Sequence, residues 1–592
     1  MKKILALLIT LFSLNSFSQA PTIDWAKCLG GTLIDRASSI QQTTDGGFII
    51  CGASVSNDGD VSGNHGGSDI WVVKFNASGN LVWQKCLGGT LNEYPTSIQQ
   101  TTDGGYIICG WTQSNDGDVS GFHGLGDVWI VKLNATGSLL WQKCLGGTMN
   151  ESNSLIQQTT DGGYIICSES QSNDGDITGN HGGNLGVEDI WVVKLNSTGS
   201  LLWQKCLGGT WNESKTSIQQ TTDGGFIICC LTYSNDGDIS GFHGQSDIWV
   251  VKLNASGNLV WQKCLGGTLF DAVSDASSIQ QTTDGGYIIF GYTGSNDGDV
   301  AGNHGGSDLW VVKLNASGNL VWQKCLGGTS GDGPNENSIK QTTDGGFIIC
   351  GWTQSNDGDV SGNHDGMDLW VVKLNASGNL VWQKCLGGTW DESDSDASSI
   401  QQTTDGGYII CSETQSNDGD VSGNHGGGDI WVVKLNASGN LVWQKCLGGS
   451  SLEFNCSNST HENSIQQTTD GGFIICGSTY SNDGDVSGNH GGGDIWVVKL
   501  NASLSLVENE LNDKEFELYP NPTNGKLTLK VNDQFNPELV TVKNSNGQIL
   551  EKITVSKNTS NEFEIELNAV NGIYFIEVFD GVNTITKKVI KN

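Results

Sequence analysis

Residues Ser97 to Leu145 read SIQQTTDGGYIICGWTQSNDGDVSGFHGLGDVWIVKLNATGSLLWQKCL, and this stretch decides the fold because it occurs eight times. The aspartate of its TDGG turn stands at Asp45, Asp103, Asp161, Asp223, Asp284, Asp344, Asp405 and Asp470, spaced 58 to 65 residues apart. Self-similarity on that period belongs to solenoids, arrays and propellers. Each copy holds four short runs rich in β-branched and aromatic residues, bounded by Gly, Asn, Asp or Ser, which predicts four strands. Ser97 to Thr101 turns through Asp103-Gly104-Gly105 into Tyr106 to Gly110, and Asp127 to Asn134 turns through Ala135-Thr136-Gly137 into Ser138 to Leu145. The two middle runs are apolar on both faces. A strand with two dry faces lies between other layers, which the blades of a propeller provide to one another.

The ends of the array predict how it closes. The eighth copy stops after its third strand, Asp494 to Asn501, while Ile23 to Gly31 reads as a fourth strand with no first three before it. The N-terminal strand, residues 23–28, then completes the last blade and removes the open edges. An open solenoid would instead need atypical polar caps. The expected fold is all-β: an eight-bladed β-propeller over residues 19–503.

Met1 to Ser18 carries two lysines, an apolar stretch from Ile4 to Phe12 and small residues at Ser16 and Ser18, the pattern of a secretory signal peptide. No later run approaches the roughly 20 apolar residues of a spanning helix. The formal charge of -34 argues against nucleic acid or an anionic membrane as partner and suits cations, basic partners or solubility.

Export would suggest disulfides for the 17 cysteines. Their placement argues otherwise: eight fall on fourth strands (Cys28, Cys86, Cys144, Cys206, Cys264, Cys325, Cys385, Cys446) and seven on second strands (Cys51, Cys109, Cys167, Cys229, Cys350, Cys411, Cys476). Two strands apart within a sheet is about 9 to 10 Å, beyond disulfide reach. They are expected to act as small buried hydrophobes. Adjacent Cys229 and Cys230 leave a vicinal disulfide open, with drift at position 230 as the alternative, and Cys456 has no repeat partner.

Alternating strand direction sends the TDGG and Asn-Ala-Ser-Gly turns to one face and the longer connections to the other. Those between blades vary, as in Leu91 to Thr96, Trp211 to Ser214, Leu269 to Ser278, Trp390 to Ser399 and Ser450 to Asn463. Variable loops on a rigid frame are where binding sits. They carry acids, including Asp271, Asp275, Asp332, Glu336, Asp391, Glu392, Asp394 and Asp396.

The segment between second and third strands carries specific chemistry. Asp58, Asp60 and Ser62 alternate, Gly63 follows, and Asp69 closes twelve residues from the start, which is the ligand spacing of a calcium loop. The pattern returns at Asp116, Asp118, Ser120 and Asp127; at Asp236, Asp238, Ser240 and Asp247; and at Asp297, Asp299 and Asp308, where Ala301 replaces Ser. It returns again at Asp357, Asp359, Ser361 and Asp368; at Asp418, Asp420, Ser422 and Asp429; and at Asp483, Asp485, Ser487 and Asp494. In the third blade four extra residues place Leu185 twelfth and move the acids to Glu188 and Asp189. These residues are the candidate Ca2+ ligands, the alternative being a turn-rich loop copied by duplication. His65, His123, His181, His243, His304, His364, His425 and His490 occur once per blade and are expected to pack the loops, since eight blades on a wide rim do not converge to metal-bond distances.

Gly79-Asn80-Leu81-Val82-Trp83 and its copies resemble the Gly-x-x-x-Trp docking element of quinoprotein dehydrogenase propellers, with a turn one residue shorter. That resemblance implies blade-to-blade packing for Trp83 and its equivalents, and no quinone. After Asn501 the composition shifts. Leu504 to Glu515 reads as an acidic linker and Phe516 to Asn592 as a small β-sandwich of immunoglobulin-like type. Its opening, Leu518-Tyr519-Pro520-Asn521-Pro522-Thr523-Asn524-Gly525-Lys526-Leu527, with Asn544-Ser545-Asn546-Gly547, Gly572-Ile573-Tyr574-Phe575 and Lys587-Lys588-Val589-Ile590, resembles the type A C-terminal sorting domain of the Bacteroidetes type IX secretion system. The repeats are similar to those of large Bacteroidetes surface propellers. The resemblance implies contact with the type IX machinery through the tail, and secretion or display at the outer surface.

The function expected on this reading is non-enzymatic binding or adhesion to an extracellular glycan or protein, on a rim that calcium orders. The alternative is an exported hydrolase or lyase acting on polysaccharide. An enzyme needs one blade to hold a group that the others lack, and Glu453, Asp332 and Asp394, with His461, are the blade-specific candidates.

Overall fold

A computed structural model describes residues 19–182, 186–273, 278–392, 399–455, 465–502, 516–532, 537–544, 549–555, 561–567, 570, 572–579 and 584–591. The signal-peptide reading of residues 1–18, the linker, Asp275, Leu185, Asp394, Asp396, Cys456 and His461 lie outside these residues, as does the side chain of Glu336. The chain divides into two compact units, Met1–Ser503 and Leu504–Asn592. Every regular element among the described residues is a strand.

In the first unit, β1 spans Ile23–Leu29, β2 Asp35–Gln42, β3 Phe48–Ser54, β4 Asp69–Phe75 and β5 Leu81–Leu87. Strands β2 to β5 form one antiparallel sheet in sequence order, and the same up-and-down order returns in every later repeat, as in the blades of a propeller. The last repeat supplies Phe473–Thr479 and Asp494–Leu500, and its fourth strand is β1, which pairs antiparallel with Asp494–Leu500. Cys28 then faces Trp496 in the register that Cys86 keeps with Trp71.

The strand sequences dictate this stacking. Strand β4, DIWVVKF, is buried at every position, whereas β5 exposes Leu81 and Val82 and buries Cys86 and Leu87. Ile49, Cys51, Ile70 and Val72 pack on Ile98, Tyr106, Ile108 and Trp129 of the next sheet. The opposite side of the same sheet, through Ile50, Trp71 and Val73, packs on Ile474, Cys476, Ile495 and Val497 of the last. Each such side chain taken from water contributes ~1.5–3 kcal/mol. All sixteen described cysteines are buried and unbridged, Cys229 and Cys230 included.

Polar groups repeat the same circuit. The main-chain N–H of Thr44 donates to Gln100 Oε1 of the next inner strand, and Thr102, Thr160, Thr222, Thr283, Thr343 and Thr404 do likewise to Gln158, Gln220, Gln281, Gln341, Gln402 and Gln467. The last, Thr469 N–H to Gln42 Oε1 at 3.0 Å, returns to the first sheet across 427 residues. Within each sheet a buried lysine ties the third strand to the TDGG turn. Lys74 Nζ lies 3.1 Å from Asp45 Oδ1 and 2.8 Å from the carbonyl of Phe75.

Trp83 and its equivalents dock between sheets. The Trp83 ring meets Tyr106 of the next sheet edge-on at 5.8 Å, and Trp25 of β1 meets Phe48 at the same distance. A Cβ on Gly137 would fall 2.8 Å from the Trp83 ring, and φ there is +78°, so the turn needs glycine on both counts.

One repeat lacks a bond that its neighbours make. The buried Trp71 indole N–H donates to Gln84 Oε1 at 2.8 Å, and Gln84 also reaches Ser62. In the last sheet Ala26 occupies the glutamine position and the buried Trp496 indole N–H has no partner. Ala26→Gln is expected to stabilise the unit by about 1 kcal/mol, read as a raised urea midpoint at unchanged slope.

The second unit has two antiparallel sheets. One joins Phe516–Tyr519, Lys526–Val531 and Glu562–Glu566; the other joins Ile549–Thr554, Leu539–Asn544, Gly572–Phe579 and Thr584–Lys591. Their apolar faces share one core that includes Phe516, Leu529, Val540, Ile565, Ile576 and Val578.

Candidate recognition face

The candidate calcium segments lie on the face opposite the TDGG turns, and in the first of them the structure gives the candidate ligands separate neighbours. Asp58 accepts from the N–H of Thr32 at 2.8 Å and from its hydroxyl at 2.7 Å, gripping the link from β1 into β2. Gly63, at φ +89°, makes the bend that follows. Ser62 meets Gln84, and Asp69, fully buried, accepts from the N–H and Nδ1 of His65 at 3.1 and 2.7 Å. Asp60 lies 3.8 Å from His490 Nε2 of the last repeat. Positions 1, 3, 5 and 12 therefore face four different neighbours. Among the described residues no group of three or more His, Cys, Asp or Glu side chains is placed to hold a metal ion.

The arrangement repeats. Asp116, Asp236, Asp297, Asp357 and Asp418 hold Thr90, Thr210, Thr268, Thr329 and Thr389, and Asp483 holds the Ser450 N–H. Ser120, Ser240, Ser361 and Ser422 meet Gln142, Gln262, Gln383 and Gln444. The third repeat, which its spacing sets apart, conforms: Asp174 holds Thr148 and Asp189 takes the closing role.

The histidines do more than pack. His65, His123, His181, His243, His304, His364, His425 and His490 each set Nδ1 2.7 Å from a buried Asp, at positions 69, 127, 189, 247, 308, 368, 429 and 494. Seven also direct Nε2 to an Asp of the following repeat, at 3.7–4.0 Å: Asp118, Asp176, Asp238, Asp299, Asp359, Asp420 and, from His490, Asp60. The equivalent of these in the last repeat is Asp485, whose Oδ2 is buried without a partner. The sequence signal for the dyad is the constant H-x-x-x-D spacing, which the third repeat hides behind four inserted residues.

A second buried carboxylate completes each junction. Glu93 accepts from Gly89 N–H at 2.8 Å and from Thr112 Oγ1 at 2.7 Å. A Cβ on Gly88 would lie 2.4 Å from Glu93 Oε2 and 2.7 Å from Asp69 Oδ1, so the two carboxylates face each other across a glycine. Asp35, Glu151, Glu213, Asp271, Asp332, Glu392 and Glu453 occupy the same fully buried position. This corrects two expectations: Asp271, Asp332 and Glu392 are not rim acids, and Asp332 and Glu453 are not specific to one blade. Each is one member of a repeated structural set.

Burial sets the chemistry here. Desolvation pushes the Asp69 and Asp368 carboxyls up to about 6, against the hydrogen bonds from His65 and His364. It pushes Glu151, Glu213 and Glu392 up to about 7. The Oδ1 atoms of Asp69, Asp127, Asp189, Asp247, Asp308, Asp368 and Asp494 are buried without a partner. That pattern suits a shared proton between facing acids.

Above this layer the face is apolar at equivalent places. The residue after the Gly-Gly-Thr turn is Leu33, Leu91, Trp211, Leu269 or Trp390 in five repeats, each exposed, with Trp211 at 66% and Trp390 at 65%. Tyr94 stacks on Trp111 with centroids 6.0 Å apart and rings inclined by 19°.

The family described as "Secretion system C-terminal sorting domain" matches residues 517–592. The chain is thus exported by the type IX secretion system to the cell surface or beyond it, and among the described residues no helix is long and apolar enough to cross a membrane. No curated protein sequence matches the chain. Among solved structures it is similar to BamB from Moraxella catarrhalis, at 13% identity and TM-score 0.38, over 81% of this chain and 99% of that one. A puromycin hydrolase is similar at 10% identity and TM-score 0.39, over 79% of this chain and 64% of that one. A protein of unknown function from Bacteroides caccae is similar at 14% identity and TM-score 0.28, over 57% and 93%.

Proposed function

We propose that the first unit is an eight-bladed β-propeller closed by β1, and that it is a non-enzymatic binding protein for an extracellular glycan or protein. In this reading the second unit is an immunoglobulin-like sandwich that serves export. The observation carrying the binding role is the set of exposed Leu33, Leu91, Trp211, Leu269 and Trp390 at one repeated position. Side chains that recur at a common place on one face form a platform, and large rigid aromatics are the usual anchors of such surfaces. The layer beneath is spent on holding repeats together, so change in the outer side chains leaves the frame intact.

Trp211→Ala and Trp390→Ala are each expected to weaken binding about tenfold, the loss of ~1.4 kcal/mol that one stacked anchor supplies. The measurement is a glycan array followed by titration of any positive, with release of reducing ends monitored on the same polysaccharides. Binding that both variants weaken without turnover supports the reading. Turnover would assign an exported hydrolase or lyase instead.

Calcium loading of the Asp58-type segments is a separate proposal. It would require Asp58 to leave Thr32 and Asp69 to leave His65, so an ion competes with the clasp. A thermal midpoint of residues 19–510 that rises from EDTA to millimolar calcium, and rises less in Asp58→Ala, Asp60→Ala, would support it. An unchanged midpoint would leave these segments as clasps alone.

A further inference from the structure

The two ring nitrogens of each repeat histidine meet carboxylates at different range. Nδ1 lies 2.7 Å from the buried aspartate of its own repeat. In seven repeats Nε2 stops 3.7–4.0 Å from Oδ2 of an aspartate in the following repeat, beyond hydrogen-bond reach. With the ring proton on Nδ1, where the buried carboxylate accepts it, Nε2 carries a lone pair. Two acceptors then face each other across a narrow gap. At the junction of the first and second repeats the facing atom, Asp118 Oδ2, is buried without a hydrogen-bond partner. A buried acceptor in that state is costly unless a cation or donor reaches it.

The gap has the dimensions of a coordination site. Zinc binds imidazole nitrogen at about 2.0–2.1 Å and carboxylate oxygen at about 2.0–2.2 Å, and tetrahedral geometry sets two such atoms about 3.4 Å apart. Small rotations close the difference, and the side chains are reachable from solvent: the histidines are 30–34% exposed and the aspartates 22–39%. The buried carboxylate behind each ring is the partner by which metal-bound histidines fix their tautomer and orientation. At the junction of the second and third repeats, Ser120, His123, Gln142 and Asp176 line one cavity of about 390 Å³, which leaves space for water around an ion.

We propose that these seven His–Asp pairs are sites for a divalent transition metal of the zinc type, each ion bridging one repeat to the next. A nitrogen ligand selects such ions over calcium, which takes oxygen, and the formal charge of -34 draws cations to the chain. Two side chains and water hold each ion, consistent with the absence of any group of three metal-ligating side chains among the described residues. The ion needs neither Asp58 nor Asp69 to leave its partner, so every clasp stays closed. It is therefore independent of calcium loading and of the apolar face.

The test is equilibrium dialysis of the full chain against zinc, with the bound metal counted. Seven ions per chain are expected, one for each pair. A quadruple variant, Asp60→Asn, Asp118→Asn, Asp176→Asn, Asp238→Asn, keeps each histidine on its buried aspartate and is expected to bind four fewer. Negligible uptake by the wild-type chain, or a count that the quadruple variant leaves unchanged, would overturn the proposal. Cobalt in place of zinc identifies the ligands. Ligand-field bands alone are expected, whereas an intense thiolate charge-transfer band would place the metal on cysteine and equally overturn it. A parallel dialysis against calcium keeps the two metal readings apart. Asp58→Ala is expected to keep the zinc count whatever it does to calcium, and uptake of calcium without zinc would favour the loops and contradict the pairs.

Discussion

A chain that lacks residues 1–29 is expected to lose about 5 kcal/mol or more of unfolding free energy and to self-associate. The removed strand buries Cys28 and Leu29 and sets Trp25 against Phe48 and Phe75. Its loss also uncovers one edge of Asp494–Leu500, whose apolar side chains are fully buried when β1 is present. Large-to-small changes at single sites of this kind cost ~3–5 kcal/mol, and an uncovered apolar edge recruits other chains. Urea unfolding with size-exclusion chromatography checks it. Trp25→Ala should cost about 3 kcal/mol alone and leave the chain monomeric.

Stability is expected to peak near pH 4–5 and to fall on either side. Asp69, Asp368, Glu151, Glu213 and Glu392 have folded values of about 6 to 7, above their unfolded ones, so the native state binds more protons in that window. Their contribution is complete below the unfolded values and is lost as pH rises through about 6 to 7. The histidines raised by their aspartates, such as His490 by Asp494, add loss in the same direction. Asp161, Asp223, Asp284 and Asp344 behave oppositely. Desolvation opposes their ionisation, but threonine, glycine and lysine partners hold them down to about 2, so their contribution is lost as pH falls from 4 toward 2. The thermal midpoint is expected to drop by about 5–10 °C from pH 5 to pH 8.5. Asp69→Asn should flatten its junction's share of that slope.

The strand plan was legible because β-branched and aromatic runs, turn glycines and repetition agree with one another. The incomplete eighth copy and the orphan strand at Ile23 pointed to their pairing in the same way. The polar layer was harder to read. Asp332 and Glu453 look like variable loop acids because the connection before each differs in length and sequence. Only the sheet register aligns them with Glu93. The Asp58 and Asp69 pair shares a spacing with calcium loops, yet spacing along a chain does not say which neighbour a side chain meets. Thr32 and His65 answered that.

The central claim is that the repeats form a ring closed by the first strand. Native-state hydrogen exchange across Asp494–Leu500 tests it most directly. Closure predicts that these amides exchange as slowly as those of Asp69–Phe75, through global unfolding alone. Exchange orders of magnitude faster at Asp494–Leu500, with Asp69–Phe75 still protected, would contradict it.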